Sequence, residues 1–245
     1  MSSHAETPAP PRLGLLGSLA MYGCGAALLY AAIRFLIPLT LENTHLEPIV
    51  AWFIVAGAGV FLPLSLVATF VLLTESRWNF ASLRARLWLR RMSCPDWGWT
   101  LAGALVIIVL SGPLIAHLAR AYGRSRFTPD FLGLEPLTSG RYWILAAWLP
   151  FFVVNMLAEA FVWHSVMLPR QVQSFGGMAW LISGLGWGLF HIALPWQILL
   201  SLAPTLFVIP YVIQRRENVW TGVVLHVIVN APGFLAVTLG VGPAA

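Results

Sequence analysis

Seven stretches of this chain are apolar over lengths that suit a bilayer crossing: residues 13–40, 48–74, 97–119, 142–168, 178–194, 196–214 and 218–240. One helical crossing takes about 20 residues, so the fifth stretch is short. The stretches run continuously apolar instead of alternating, which argues against a membrane β-barrel. Only 9% of the residues are charged, 59% are hydrophobic and the mean hydropathy is +0.81. A soluble domain carries about 25% charged residues. This composition excludes a soluble enzyme, a disordered chain and a secreted disulfide scaffold. The sequence therefore predicts an all-α protein, a polytopic transmembrane helix bundle of about seven spans.

The charges that remain report topology. There are 14 basic and 9 acidic residues, and every basic residue is Arg. The Arg sit in short loops, as topology signals do, and no nucleic-acid partner is expected. The loop 41–47 carries Glu42 and Glu47 without Arg. With the N-terminus inside, Arg12, Arg77, Arg84, Arg86, Arg90, Arg91, Arg170, Arg215 and Arg216 are cytoplasmic. Arg120, Arg124, Arg126 and Arg141 fall outside, and nine against four gives an N-in chain. Residues 1–12 read as a disordered cytoplasmic tail, and 13–245 as a single transmembrane domain in the cell inner (plasma) membrane. Segment 78–92 mixes Trp78, Phe80, Leu83 and Leu87 with five nearby Arg, four of them within it and Arg77 just before it, and reads as an interfacial helix on anionic lipid. Cys24 and Cys94 lie far apart in this topology, so no disulfide is expected.

An ionisable group inside a span is costly unless paired or hydrated, and marks function by default. Glu159 is the one acidic residue deep in an apolar run, and His164 follows it on the same helix. Asn155 and Glu159, Trp187 and His191, and His226 and Asn230 are each spaced i, i+4, so each pair shares one helix face. Three helices thus carry polar groups that are most cheaply turned inward on one cavity. Counting from the cytoplasmic ends of their runs, His226 lies about 12 Å deep, Glu159 about 13 Å and His191 about 18 Å. His191 reaches the common level only if helices tilt or the turn at Pro195 is recessed. Arg34 and His117 sit near helix ends, where snorkelling accounts for them.

These residue types fit three roles. A carboxylate in an apolar cavity can act as general base toward water, with a His holding that water. A His and an Asn can donate to an oxyanion. Two His and a Glu could instead hold zinc with an open position. The plainer reading is a set of interhelical hydrogen bonds that hold the bundle together.

Read as motifs, these residues resemble the CPBP family of intramembrane proteases, which includes the CAAX prenyl endopeptidases and bacterial Abi proteins. Members carry a Glu-Glu-x-x-x-Arg helix, an aromatic-x-x-x-His helix and a His-x-x-x-Asn helix. Here residues 159–171 read EAFVWHSVMLPRQ, residues 187–191 read WGLFH and residues 226–230 read HVIVN. Glu159, Trp163, Leu168, Pro169 and Arg170 are similar to a bacterial form of the first motif. The resemblance covers about residues 151–236. It departs where Ala160 replaces the second Glu, His164 the motif Arg and Ser165 the Gly that follows. In typical members that Glu and Arg form a supporting charge pair, and losing both leaves no orphan charge.

The resemblance implies that Glu159 and His191 activate water while His226 and Asn230 stabilise the oxyanion. Asn155, Trp163, His164 and Trp187 are the supporting positions. With α-helical winding, His164 lies about 140° round from Glu159, off the catalytic face, where it could bond a neighbouring helix. No cofactor is expected, with zinc as the alternative. The implied activity is hydrolysis of a peptide bond in a membrane-associated protein or peptide. The departures leave room for a non-proteolytic CPBP-like scaffold, assembly factor or subunit of a membrane complex. The expected partners are membrane lipid and either such a substrate or a complex partner.

Overall fold

The computed structural model describes residues 9–75, 80–123 and 137–239. Backbone in an apolar layer must bond to itself, and the apolar runs accordingly form helices, with no strand among the described residues. Helix α1 spans Leu15–Asn43 and α2 spans Pro48–Thr74, each passing through a π-wound turn, at Ala32–Leu36 and Gly57–Phe61. A short α3, Phe80–Arg86, precedes the long α4, Cys94–Tyr122. Helix α5, Trp143–Glu159, continues through a π-wound segment, Ala160–Met167, into α6, Leu168–Phe175. Then come α7, Ala179–Phe190, α8, Trp196–Arg216, and α9, Val219–Thr238.

Among the described residues five segments are long and apolar enough to cross a membrane: Leu15–Asn43, Pro48–Thr74, Cys94–Tyr122, Ser139–Ala193 and Trp196–Arg216. The fourth and fifth apolar runs of the sequence fall together in Ser139–Ala193, where the chain turns at Gly176 with φ +52°, a conformation glycine adopts freely. The seventh run gives a shorter apolar helix over Val219–Gly233. The seven runs therefore become five candidate spans and one shorter helix. With several apolar helices of this kind, the chain reads as a multi-pass membrane protein.

Contacts between helix ends sort the loops into two groups. At one end Leu13 N–H donates to the Arg170 carbonyl at 3.1 Å, and Gln214 joins Trp180 and Gly176. Asp96 is fully buried at the same end. It takes Arg90 through both terminal nitrogens (2.8 and 2.9 Å), Arg216 Nε (2.8 Å) and Ser93 Oγ (2.8 Å). Ser93 and Asp96 also form a capping box at the start of α4, which the pattern Ser-x-x-Asp before an apolar run could have signalled. At the other end Arg141 forks onto Glu47, with Nε at 2.9 and 3.0 Å from its two oxygens. The basic loops around 90 and 216 thus share one end with Leu13 and Arg170, and the acidic 41–47 loop meets Arg141 at the opposite one.

The interfacial segment is shorter than its sequence suggests. Among the described residues of this segment only Phe80–Arg86 is helical; Trp88 then turns the chain with φ +54° and residues 89–93 have no regular structure. Trp78, Arg77 and most of the 120–141 loop lie outside the described residues, as do residues 1–8 of the tail, whose remainder has no regular structure before Leu15. Both cysteines are free thiols.

Close helix approach sets the frame around the polar residues. A Cβ on Gly186 of α7 would meet the Tyr22 ring of α1 at 2.1 Å, so glycine is what lets these helices touch. The Tyr22 ring stacks on Trp163 at 4.7 Å, and Trp163 leans on Phe190 at 5.2 Å. This fully buried aromatic stack ties α1, the π segment and α7 into one unit.

Candidate active site

Glu159 ends the α-helical part of α5, immediately before the winding changes to π. Insertions of this kind are frequent at functional sites. Asn155, one α-turn earlier, donates through Nδ2 to Glu159 Oε1 at 2.8 Å. Trp187, in the last turn of α7, donates through Nε1 to Oε2 at 2.6 Å. Each carboxylate oxygen therefore has its own neutral donor, and the group is 5% exposed. A buried carboxylate without partners would be prohibitively costly, so these two bonds explain how Glu159 is tolerated.

His191 caps α7, where the chain tightens into a 3₁₀ turn, His191–Ala193, before Pro195. Its Nδ1 lies 2.9 Å from the Trp187 carbonyl. A carbonyl only accepts, so the proton sits on Nδ1 and the lone pair on Nε2. That lone pair faces Glu159 Oε2 at 4.0 Å. Both atoms are acceptors, and the spacing suits a bridging water that donates to each.

Helix α7 has 12 residues, or about 18 Å of rise, and the helical path after Glu159 runs on to Phe175 instead of stopping near 168.

His226 and Asn230 follow one another on α9, with Asn230 Nδ2 2.7 Å from His226 Nε2. The amide nitrogen donates, so Nε2 accepts and the ring proton sits on Nδ1. His226 Nδ1 is buried with no hydrogen-bond partner, an unspent donor of the sort native proteins rarely carry without a function. Asn230 keeps a second amide N–H. The His226 ring meets Trp187 edge-on at 5.2 Å, so one indole touches all three polar stations.

Asn155, Glu159, Trp187, His191, His226 and Asn230 line one cavity of about 560 Å³, whose other walls are mostly apolar. The structure thus brings together six of the eight residues singled out in the sequence. Trp163 and His164 stand apart from the cavity. Trp163 belongs to the aromatic stack described above. His164 is buried with both ring nitrogens unpaired and its ring edge-on to Trp187 at 4.8 Å. The 140° separation from Glu159 does not hold, because Ala160–Met167 is π-wound and hydrogen bonds there run i→i+5. His164 backs the indole that holds Glu159.

Sequence reasoning missed Ser111 and Ser201, which also line the cavity and join through Ser111 Oγ and the Ser201 carbonyl at 3.2 Å. Isolated serines in apolar runs carry no distinguishing pattern. Among the described residues no three His, Cys, Asp or Glu side chains are grouped as a metal ion requires.

A model of the type II CAAX prenyl endopeptidase Rce1-like family matches residues 141–232. The motif-bearing part of the chain is CPBP-like. The match contains all three motifs and agrees with the resemblance read from their residues. It supports, at the level of the family, an intramembrane protease of CPBP type. Comparison with the curated proteins and with the solved structures returned no match.

Proposed function

We propose that this CPBP-like protein is an intramembrane endopeptidase that cleaves a peptide bond of a membrane-associated protein or peptide with water as nucleophile. The observation that carries the reading is the convergence of Glu159, His191, His226 and Asn230 on one largely apolar cavity. Water held between Glu159 Oε2 and His191 Nε2 gives up a proton to the carboxylate as its oxygen attacks the scissile carbonyl. The oxyanion that forms is met by the free amide N–H of Asn230, with His226 holding that amide in place. Collapse of the tetrahedral intermediate returns the proton to the leaving amine.

The substrate enters laterally, between α4 and α9, and meets the site from within the bilayer. Ile108 of α4 and Ile228 of α9 both line the cavity, yet they are 57% and 36% exposed. The N-terminus faces the cytoplasm of a cell whose inner membrane houses the protein.

A second reading, a CPBP-like scaffold or subunit of a membrane complex, is favoured by the family charge pair that Ala160 and His164 replace. The two separate on Glu159→Gln. Loss of cleavage with unchanged expression supports the protease; unchanged cleavage rejects this mechanism.

A further inference from the structure

At the Arg-rich end, away from the cavity just described, a second concavity of about 360 Å³ lies between α3, its following turn and the α8–α9 junction. Arg84, Trp88, Arg90, Arg216 and Glu217 line it. We propose that it binds a singly charged phosphodiester, the headgroup chemistry of a phospholipid.

The turn is rigidly built. Leu89 N–H donates to the Arg84 carbonyl at 2.8 Å, and Val219 N–H to the Trp88 carbonyl at 3.0 Å. The second bond fastens the turn to the first residue of α9.

The charges are unevenly spent. Arg90 gives its terminal nitrogens to Asp96 and to the Arg216 carbonyl. Arg216 gives only Nε to Asp96, and its terminal nitrogens make no further hydrogen bond among the described residues. Arg84 has no ion pair among the described residues and lies 5.8 Å over the Phe80 ring. Three guanidinium groups face two carboxylates, Asp96 and Glu217, and Asp96 is buried behind the arginines. The excess of one positive charge suits a monoanion better than a dianion. Guanidinium forks match phosphate oxygens in pairs.

Size and position agree with a headgroup. At about 30 Å³ per water the concavity has room for roughly ten waters, more than a lone ion needs. Phe80, 75% exposed on the adjoining helix, is placed to meet acyl chains.

The test uses full-length protein in non-ionic detergent, with thermal-shift titration by dihexanoyl phosphatidylglycerol and, separately, by inorganic phosphate. The expected result is saturable stabilisation of wild type by the lipid, and about tenfold weaker binding by Arg84→Gln. The ligand-free midpoint of that variant should be unchanged, and Arg84→Lys should fall between. Phosphatidylglycerol binding alone assigns the site to lipid; phosphate binding with the same loss in Arg84→Gln assigns it to free phosphate. No binding by either probe, or equal binding by wild type and Arg84→Gln, would overturn the proposal.

Discussion

Trp187 Nε1 donates to Glu159 Oε2 at 2.6 Å, and the same indole receives His226 and His164 edge-on from opposite helices. One aromatic residue therefore orients the candidate base and separates it from a second buried imidazole. Trp187→Phe keeps a ring there and deletes the donor. The expected outcome is a kcat reduced by at least tenfold with KM nearly unchanged, and a stability loss of about 1–2 kcal/mol. Equal kcat in steady-state assays of the two proteins would remove Trp187 from the mechanism.

Asn230 is the cleanest probe of oxyanion stabilisation, because it is only half-buried and its one described side-chain bond is to His226. Asn230→Ala should lower kcat by roughly 10²–10³-fold. Thermal unfolding should change by no more than about 1 kcal/mol. A matching loss in both would mean that the residue holds the bundle together instead.

Asp96 ties the starts of α4 and α9 to the end of α8 through Arg90, Arg216 and Asn218. Asp96→Asn leaves two guanidinium groups without their carboxylate. Because both arginines keep some access to water, the expected loss is about 2–4 kcal/mol. Denaturant unfolding in detergent measures it, and a change below about 0.5 kcal/mol would show the cluster to be of surface type.

Gly186→Ala places a methyl group against the Tyr22 ring. Overpacking of this kind costs roughly 1–3 kcal/mol and pushes α7 away from α1. The same shift moves Trp187, so activity should fall with stability. A midpoint equal to wild type would show that the α1–α7 contact is looser than described.

Much of the fold was legible because it follows from single-residue chemistry. Continuous apolar runs with few charges predict helices, and three i, i+4 pairs predict one inward-facing cavity. What stayed hidden depends on winding and on partners distant in sequence. The π segment after Glu159 cannot be read from AFVWHSVM, so the α-helical angle to His164 was wrong. Trp163 shares the motif with Glu159, yet its packing was set by Tyr22 and Phe190, neither of which is marked in the sequence. The donor on Glu159 Oε2 comes from a residue 28 positions later. The joining of the fourth and fifth apolar runs in one segment also stayed hidden, because Gly176 turns the chain there without a polar loop.

The most direct measurement compares protein N-termini in membranes from cells carrying wild type or Glu159→Gln, with abundance and co-purifying partners recorded from the same preparations. The expected result is a set of termini that vanish with the substitution while the protein remains at wild-type abundance. An unchanged set of termini, with a stoichiometric partner retained by both forms, would contradict proteolysis and show that the polar cavity serves a binding protein.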